Sequence, residues 1–223
     1  MAEAARERFR RIGLEALLEA HSGLRAQPLV YGELHLRGEV EFDAEAPGHH
    51  RIADSFEIEL LVPDGFPDEL PSVRDLTGRV PKAFHTHPDD GTLCLGSPTR
   101  QRLALVGSPT LLRFMTKCVI PYLYGFAHKE KHGTMPFGEL DHGNAGLRAD
   151  FAALFGVTPA NADEMVRLAS LKRRVANKYA CPCGSGKRLG RCHNRRVNRL
   201  RDELGRHWFR AESTRFMDQH RSR

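Results

Sequence analysis

The stretch FEIELLVPDGFPDELPSV, residues 56–73, decides the fold. Phe56, Ile58 and Leu60 alternate with Glu57 and Glu59, the period of a strand with one buried face. Pro63, Pro67 and Pro71 then fix the backbone and remove donors, which predicts a rigid packed loop before a short strand near Val73. On the N-terminal side, ELHLRGEVEFDA (33–44) alternates around Leu34, Leu36, Val40 and Phe42. Gly38 in its middle predicts one bent strand or a tight hairpin. PGHH (47–50) reads as a turn with His49 and His50 solvated. Residues 3–21 read as a helix, with Phe9, Ile12, Leu14 and Leu17 at helical spacing and an end at 22–24.

On the C-terminal side, residues 79–108 contain no long periodic segment and are expected to form an ordered irregular loop around Cys94. Ser108 as cap and Pro109 at the first position predict a helix to about Phe126, which Pro121 should kink or end. Further helices are expected at 142–156, at 158–180 with Thr158 or Asn161 as cap, and at 198–212. The order is helix, strands, irregular loop, helices: an α+β domain with a small C-terminal module. The expected boundaries are a main domain at 1–150, a helical linker at 151–179, a compact module at 180–194 and a basic helix and tail at 195–223.

The chain of 223 residues is long enough for one good core and a small appendage, and 40% hydrophobic content fits a globular protein. Its net charge of +6 hides a split. Residues 1–160 carry 17 Lys and Arg against 22 Asp and Glu, a net of −5; residues 161–223 carry 17 against 6, a net of +11. The basic tail suits nucleic acid or an acidic protein surface. The apolar run LLRFMTKCVIPYLYGF is broken by Arg113, Lys117 and Pro121, so no membrane span is expected. The N-terminal stretch mixes acids and bases, unlike a secretory or transit signal. Three of the five cysteines fall within thirteen residues, which points to metal binding in a reducing, cytoplasmic compartment.

That cluster, CPCGSGKRLGRCH (181–193), supplies Cys181, Cys183, Cys192 and His193, a tetrahedral set for Zn²⁺ with no open position. Gly184, Gly186 and Gly190 allow a tight return. A module so small has no adequate core, so the metal should supply its folding energy. The internal GSGK is not a phosphate-binding loop, because Cys181 and Arg188 stand where that pattern needs Gly and Ser or Thr. Residues 180–194 closely resemble the SEC-C motif known from the C-terminal tail of the bacterial preprotein translocase ATPase. The resemblance implies a zinc-binding module used for protein docking or ribosome association.

The second cysteine of interest, Cys94, lies in HTHPDDGTLCL (85–95). His85 and His87 are near enough to lower a thiol pKa, and Asp89 and Asp90 to orient an amine or cap a turn. Simple packing is the alternative, as for Cys118 on its apolar helix. The run from residue 56 through HPDDGTLCL to the helix at 108–126 resembles the ubiquitin-conjugating (E2) fold, on Phe66, Pro67, Pro71, His87, Pro88, Gly91, Cys94 and Leu95. It is similar in style to divergent bacterial E2-like proteins. The resemblance implies that Cys94 accepts a ubiquitin-like modifier from its activating enzyme as a thioester and passes it to an amine of a protein substrate. Asp89 stands where the family has asparagine, and the spacing from His87 to Cys94 is about three residues short. The oxyanion role then falls to His85, His87 or a backbone N–H.

Two other readings of the same residues differ in class. The His-x-His-Pro at 85–88 is similar to that of metal-dependent deubiquitinases, but no Asp follows at the required distance. A cysteine hydrolase would use Cys94, His87 and Asp89 or Asp141, with His142 as a further candidate; an inert binding module would use none. In the basic helix, Leu200, Leu204 and Trp208 form an apolar stripe expected to pack, with Arg195, Arg196, Arg199, Arg201 and Arg206 as solvated charge or a nucleic-acid face.

Overall fold

The computed structural model describes residues 2–137 and 143–221, with side chains from 3 to 137 and from 143 to 216. The chain divides into two compact units, Met1–Glu139 and Leu140–Arg223.

The first unit is α+β. Helices α1 (Ala2–Arg11) and α2 (Leu14–Ala20) precede a four-stranded antiparallel sheet, β1 (Leu24–Ala26), β2 (Leu34–Ala44), β3 (Ile52–Val62) and β4 (Ser72–Asp75), in sequential order. The expected single helix at 3–21 is broken. Gly13 takes a left-handed φ of 70°, a conformation that favours glycine, and the Ile12 carbonyl accepts from the Leu111 amide at 2.9 Å instead of continuing the helix. Arg8 on α1 donates to the carbonyls of Gly32 at 2.8 Å and Pro63 at 2.9 Å, fastening that helix to two loops at one end of the sheet.

β2 is one continuous strand, paired with β3 from Leu34↔Val62 to Ala44↔Ile52. Gly38 is a close approach rather than a turn: a Cβ there would collide with the Gly23 carbonyl oxygen. The alternation buries Leu34, Leu36, Val40 and Phe42 of β2 and Phe56, Ile58, Leu60 and Val62 of β3 on one face. On the other, Glu59 is nearly enclosed by Arg37 at 2.6 Å, Arg74 at 3.5 Å and His35 at 3.5 Å. Burial pushes its carboxyl up, but the hydrogen bond and charge of Arg37, with Arg74 behind, win and hold it below the usual range.

After the irregular loop come α3 (Pro98–Leu105) and a long helix in three parts: α4 (Leu111–Phe114), a π-helical turn (Met115–Val119) and α5 (Ile120–His132). α3 interrupts the region expected to be irregular. Its signal is Ser97, which caps the Arg100 amide at 3.2 Å, followed by Pro98. The long helix is capped by Thr110 rather than Ser108. Pro121 neither ends nor breaks it. The missing N–H and the ring's clash with the Lys117 carbonyl are absorbed by the wider π turn just before it. Leu111, Phe114, Met115, Leu123 and Tyr124 bury against the apolar sheet face, each contributing about 1.5–3 kcal/mol.

The second unit is helical: α6 (Gly143–Phe155), a short 3₁₀ turn (Pro159–Asn161), α7 (Ala162–Ser170), α8 (Arg173–Ala176), the cysteine-rich turn and α9 (Asn194–Arg221). α7 packs along α9. Gly205, at φ 79° and ψ 152°, interrupts α9 and resets its helical phase. The buried stripe is therefore Val197, Leu200 and Leu204 followed by Phe209 and Phe216, with the expected Trp208 only half-buried. Arg201 is not solvated. It is 7% exposed and donates to the carbonyls of Leu168 at 2.6 Å, Ala169 at 2.8 Å and Leu171 at 3.0 Å, with Arg206 reaching Ser170 at 3.3 Å. The C-terminal carbonyls of α7, which no helical donor can reach, are satisfied by a neighbouring guanidinium.

Candidate functional site

The loop that carries Cys94 is held from both ends. At its start, Asp75 accepts from the Val80 amide at 2.8 Å and the Thr77 hydroxyl at 2.8 Å. Arg79 forms a fork with Asp54 (2.9 and 3.1 Å), pairs with Glu130 on α5 at 2.6 Å and lies over the Phe56 ring at 4.2 Å. At its end, Leu93 is buried and its amide donates to Val73 of β4 at 2.7 Å.

Between these anchors the chain folds back on itself. Thr86 pairs with Leu93, the His87 amide donates to Thr92 O at 2.8 Å, and the Cys94 amide donates to His85 O at 2.7 Å. Gly91, at φ 70°, makes the return. Cys94 is thus half-buried beside His85, and His85 itself sits at an unusual φ of 39°. His87 and Asp89 are exposed nearer the tip. The carboxylate that builds this turn is Asp90. It accepts from the Thr92 amide at 2.9 Å and hydroxyl at 2.7 Å, bonds that hold its pKa below the usual range. Asp141 and His142 lie outside the described residues.

Tyr122, which the sequence did not single out, lies under the loop. Its hydroxyl is 3.0 Å from Phe84 O and 3.2 Å from His85 O. Burial, then the neighbouring Cys94 and Asp75, push its pKa up, and its one proton is directed to those two loop carbonyls, which ties α5 to the loop next to Cys94. A tyrosine on an apolar helix gives no local signal of this, because its partners are some forty residues away. Cys118, buried on the same helix, is pushed up to about 11 by burial and packs as expected.

In the second unit, Cys181, Cys183, Cys192 and His193 converge, their donor atoms all within 4.8 Å of one another. His193 Nδ1 lies 3.2 Å from both Cys181 Sγ and Cys192 Sγ, and the sulfurs of Cys183 and Cys192 are 3.5 Å apart. The scaffold is a small knuckle. Ala180 pairs with Arg188, the Cys181 amide donates to Lys187 O at 2.8 Å, and Gly184 and Gly186 turn at positive φ. Leu189 is buried beneath, and Gly190 is so close to Asn177 that a Cβ would stand 3.0 Å from it. Cys192 and His193 immediately precede α9. The Ser185 hydroxyl and amide pull the Cys183 thiol down, while burial pushes the Cys181 thiol up. These four residues can hold a metal ion, and three soft sulfurs with one imidazole are the donor chemistry for it.

No helix among the described residues is long and apolar enough to cross a membrane. Compared with models of protein families, with curated proteins and with solved structures, the chain matches none.

Proposed function

We propose that the first unit is an E2-like acyl carrier with Cys94 as its nucleophile. The supporting observation is the setting of Cys94: a half-buried thiol on a loop anchored to β4 by Leu93, with its amide bonded to His85 and the Tyr122 phenol below. In the first step the Cys94 sulfur attacks the thioester carbonyl that joins the C-terminus of a ubiquitin-like modifier to a cysteine of its activating enzyme. The new C–S bond forms, the activating enzyme's thiolate leaves, and the Cys94 thiol proton passes to solvent or His87. In the second, an amine of a protein substrate attacks the thioester carbonyl. The tetrahedral oxyanion collapses, the C–S bond breaks, and the thiolate leaves as the amine loses its proton. Rigid presentation of the thioester supplies most of the rate. Asp89 is a poor oxyanion partner, so stabilisation falls to neutral or cationic donors on the loop, His85 first among them.

The C-terminal cluster is, in the same proposal, a structural Zn²⁺ site of the SEC-C type that presents a docking surface to a protein partner. Arg195, Arg196 and Arg199 remain exposed on α9 for an acidic partner. If that partner is nucleic acid, affinity falls steeply with added salt.

The test is intact mass after mixing the protein with a candidate ubiquitin-like protein, its competent activating enzyme and ATP. A thiol-labile adduct is expected in wild type and absent in Cys94→Ala, with a thiol-resistant oxyester in Cys94→Ser. An adduct that persists in Cys94→Ala, or none in wild type, overturns the acyl-carrier role.

A further inference from the structure

Four histidines that the Cys94 chemistry does not use meet at the far end of α5. His128 and His132 are one turn apart on the same helix face. His49 and His50 arrive from the β2–β3 turn and are not merely solvated. That turn is fixed to α5: the Tyr124 hydroxyl donates to His50 O at 2.9 Å and accepts from the Ala46 amide at 3.2 Å, while the His49 amide donates to Ala46 O at 2.9 Å. The ring centroids lie 5.1 Å apart for His49 and His128, 4.8 Å for His128 and His132, 4.3 Å for His50 and His132, and 6.3 Å for His50 and His128, so His50 is the ring that must move to join the others. Two imidazoles on one tetrahedral ion, with nitrogen–metal bonds of about 2.0–2.1 Å, hold their centroids about 5 Å apart.

The independent observation is His128 itself. It is 2% exposed. Its Nδ1 lies 2.8 Å from Thr134 O, which can only accept, so Nδ1 carries the proton. Nε2 is left with a lone pair, and it is buried with no hydrogen-bond partner. A buried unpaired acceptor is costly. A histidine whose other nitrogen donates to a backbone carbonyl is the arrangement that orients a metal ligand.

We propose that His128, His132 and His50, with His49 as fourth ligand, form a second metal site, for a divalent ion of the zinc, nickel and copper class. An all-imidazole set favours these ions over magnesium or calcium, which take oxygen ligands. Lys131, next to His132 on the helix, is paired with Asp54 at 3.1 Å, which offsets its charge. His50 and His132 stack on one another and are both exposed, so their rings can turn toward an ion without disturbing the core.

The measurement is a titration of the metal-free chain with ZnCl₂ against a chromophoric chelator, counting ions bound. Wild type is expected to bind two per chain. His50→Gln/His132→Gln, whose substitutions are exposed and whose fold is checked by circular dichroism, should bind one, or the second at least tenfold more weakly. Cys183→Ser/Cys192→Ser should retain the histidine-bound ion and, with Co²⁺, lack the strong near-ultraviolet band of thiolate ligation. Retention of an undiminished second ion by the histidine variant overturns the site, as does a cysteine variant that binds none while its sheet unit remains folded.

Discussion

At the scale of single residues, charge placement matters more than charge count. Asp54 is held well below the usual carboxylate range, first by its hydrogen bonds to Arg79. A depressed folded pKa contributes stability above the unfolded value near 3.9, and that contribution is lost as pH falls toward the folded one. Asp54→Asn should therefore cost about 2 kcal/mol at pH 7 and progressively less as pH falls from about 4 to 2, checked by urea denaturation across that range. Arg201 was legible only as one arginine of a basic run. Its role as the cap of α7 needs Leu168, Ala169 and Leu171, some thirty positions earlier. Arg201→Leu should lower the stability of the second unit by about 3 kcal/mol, because buried carbonyls lose their donors. A loss no larger than that of exposed Arg195→Leu would contradict this role.

At the scale of elements, strands were readable because their alternation is local. Helix interruptions were not, because Gly13, the π turn before Pro121 and Gly205 respond to what packs against them. Gly205 takes a backbone conformation open almost only to glycine, and a Cβ there would stand 2.6 Å from the His207 ring. Gly205→Ala should cost about 1–3 kcal/mol by forcing the helix straight and rotating Phe209 and Phe216 off the core, seen as a lower denaturation midpoint. Gly38→Ala should be worse, since its Cβ meets the Gly23 carbonyl and the Leu24 backbone at the start of β1, which cannot move aside. Loss of hydrogen-exchange protection at β1 and β2 is the expected outcome, and full protection would contradict the close approach.

At the scale of the molecule, one chain carries two units built on different physics. The first is held by a sheet face covered by α4 and α5. The second has its own core along α7 and α9 and a cysteine knuckle that metal should tighten. Chelation is expected to raise hydrogen exchange across 177–200 while amides of β2 and β3 stay protected; unchanged exchange at the knuckle would show that metal does not support it. The sequence by itself determined the α+β order, the strand faces, the four residues of the cysteine cluster and the irregular setting of Cys94, because each depends on residues close together in the chain. Only the tertiary structure decided that Tyr122 lies beside Cys94, that Arg201 caps another helix, and that His49 and His50 meet His128 and His132. Those juxtapositions join residues tens of positions apart, and packing, rather than any local pattern, brings them together.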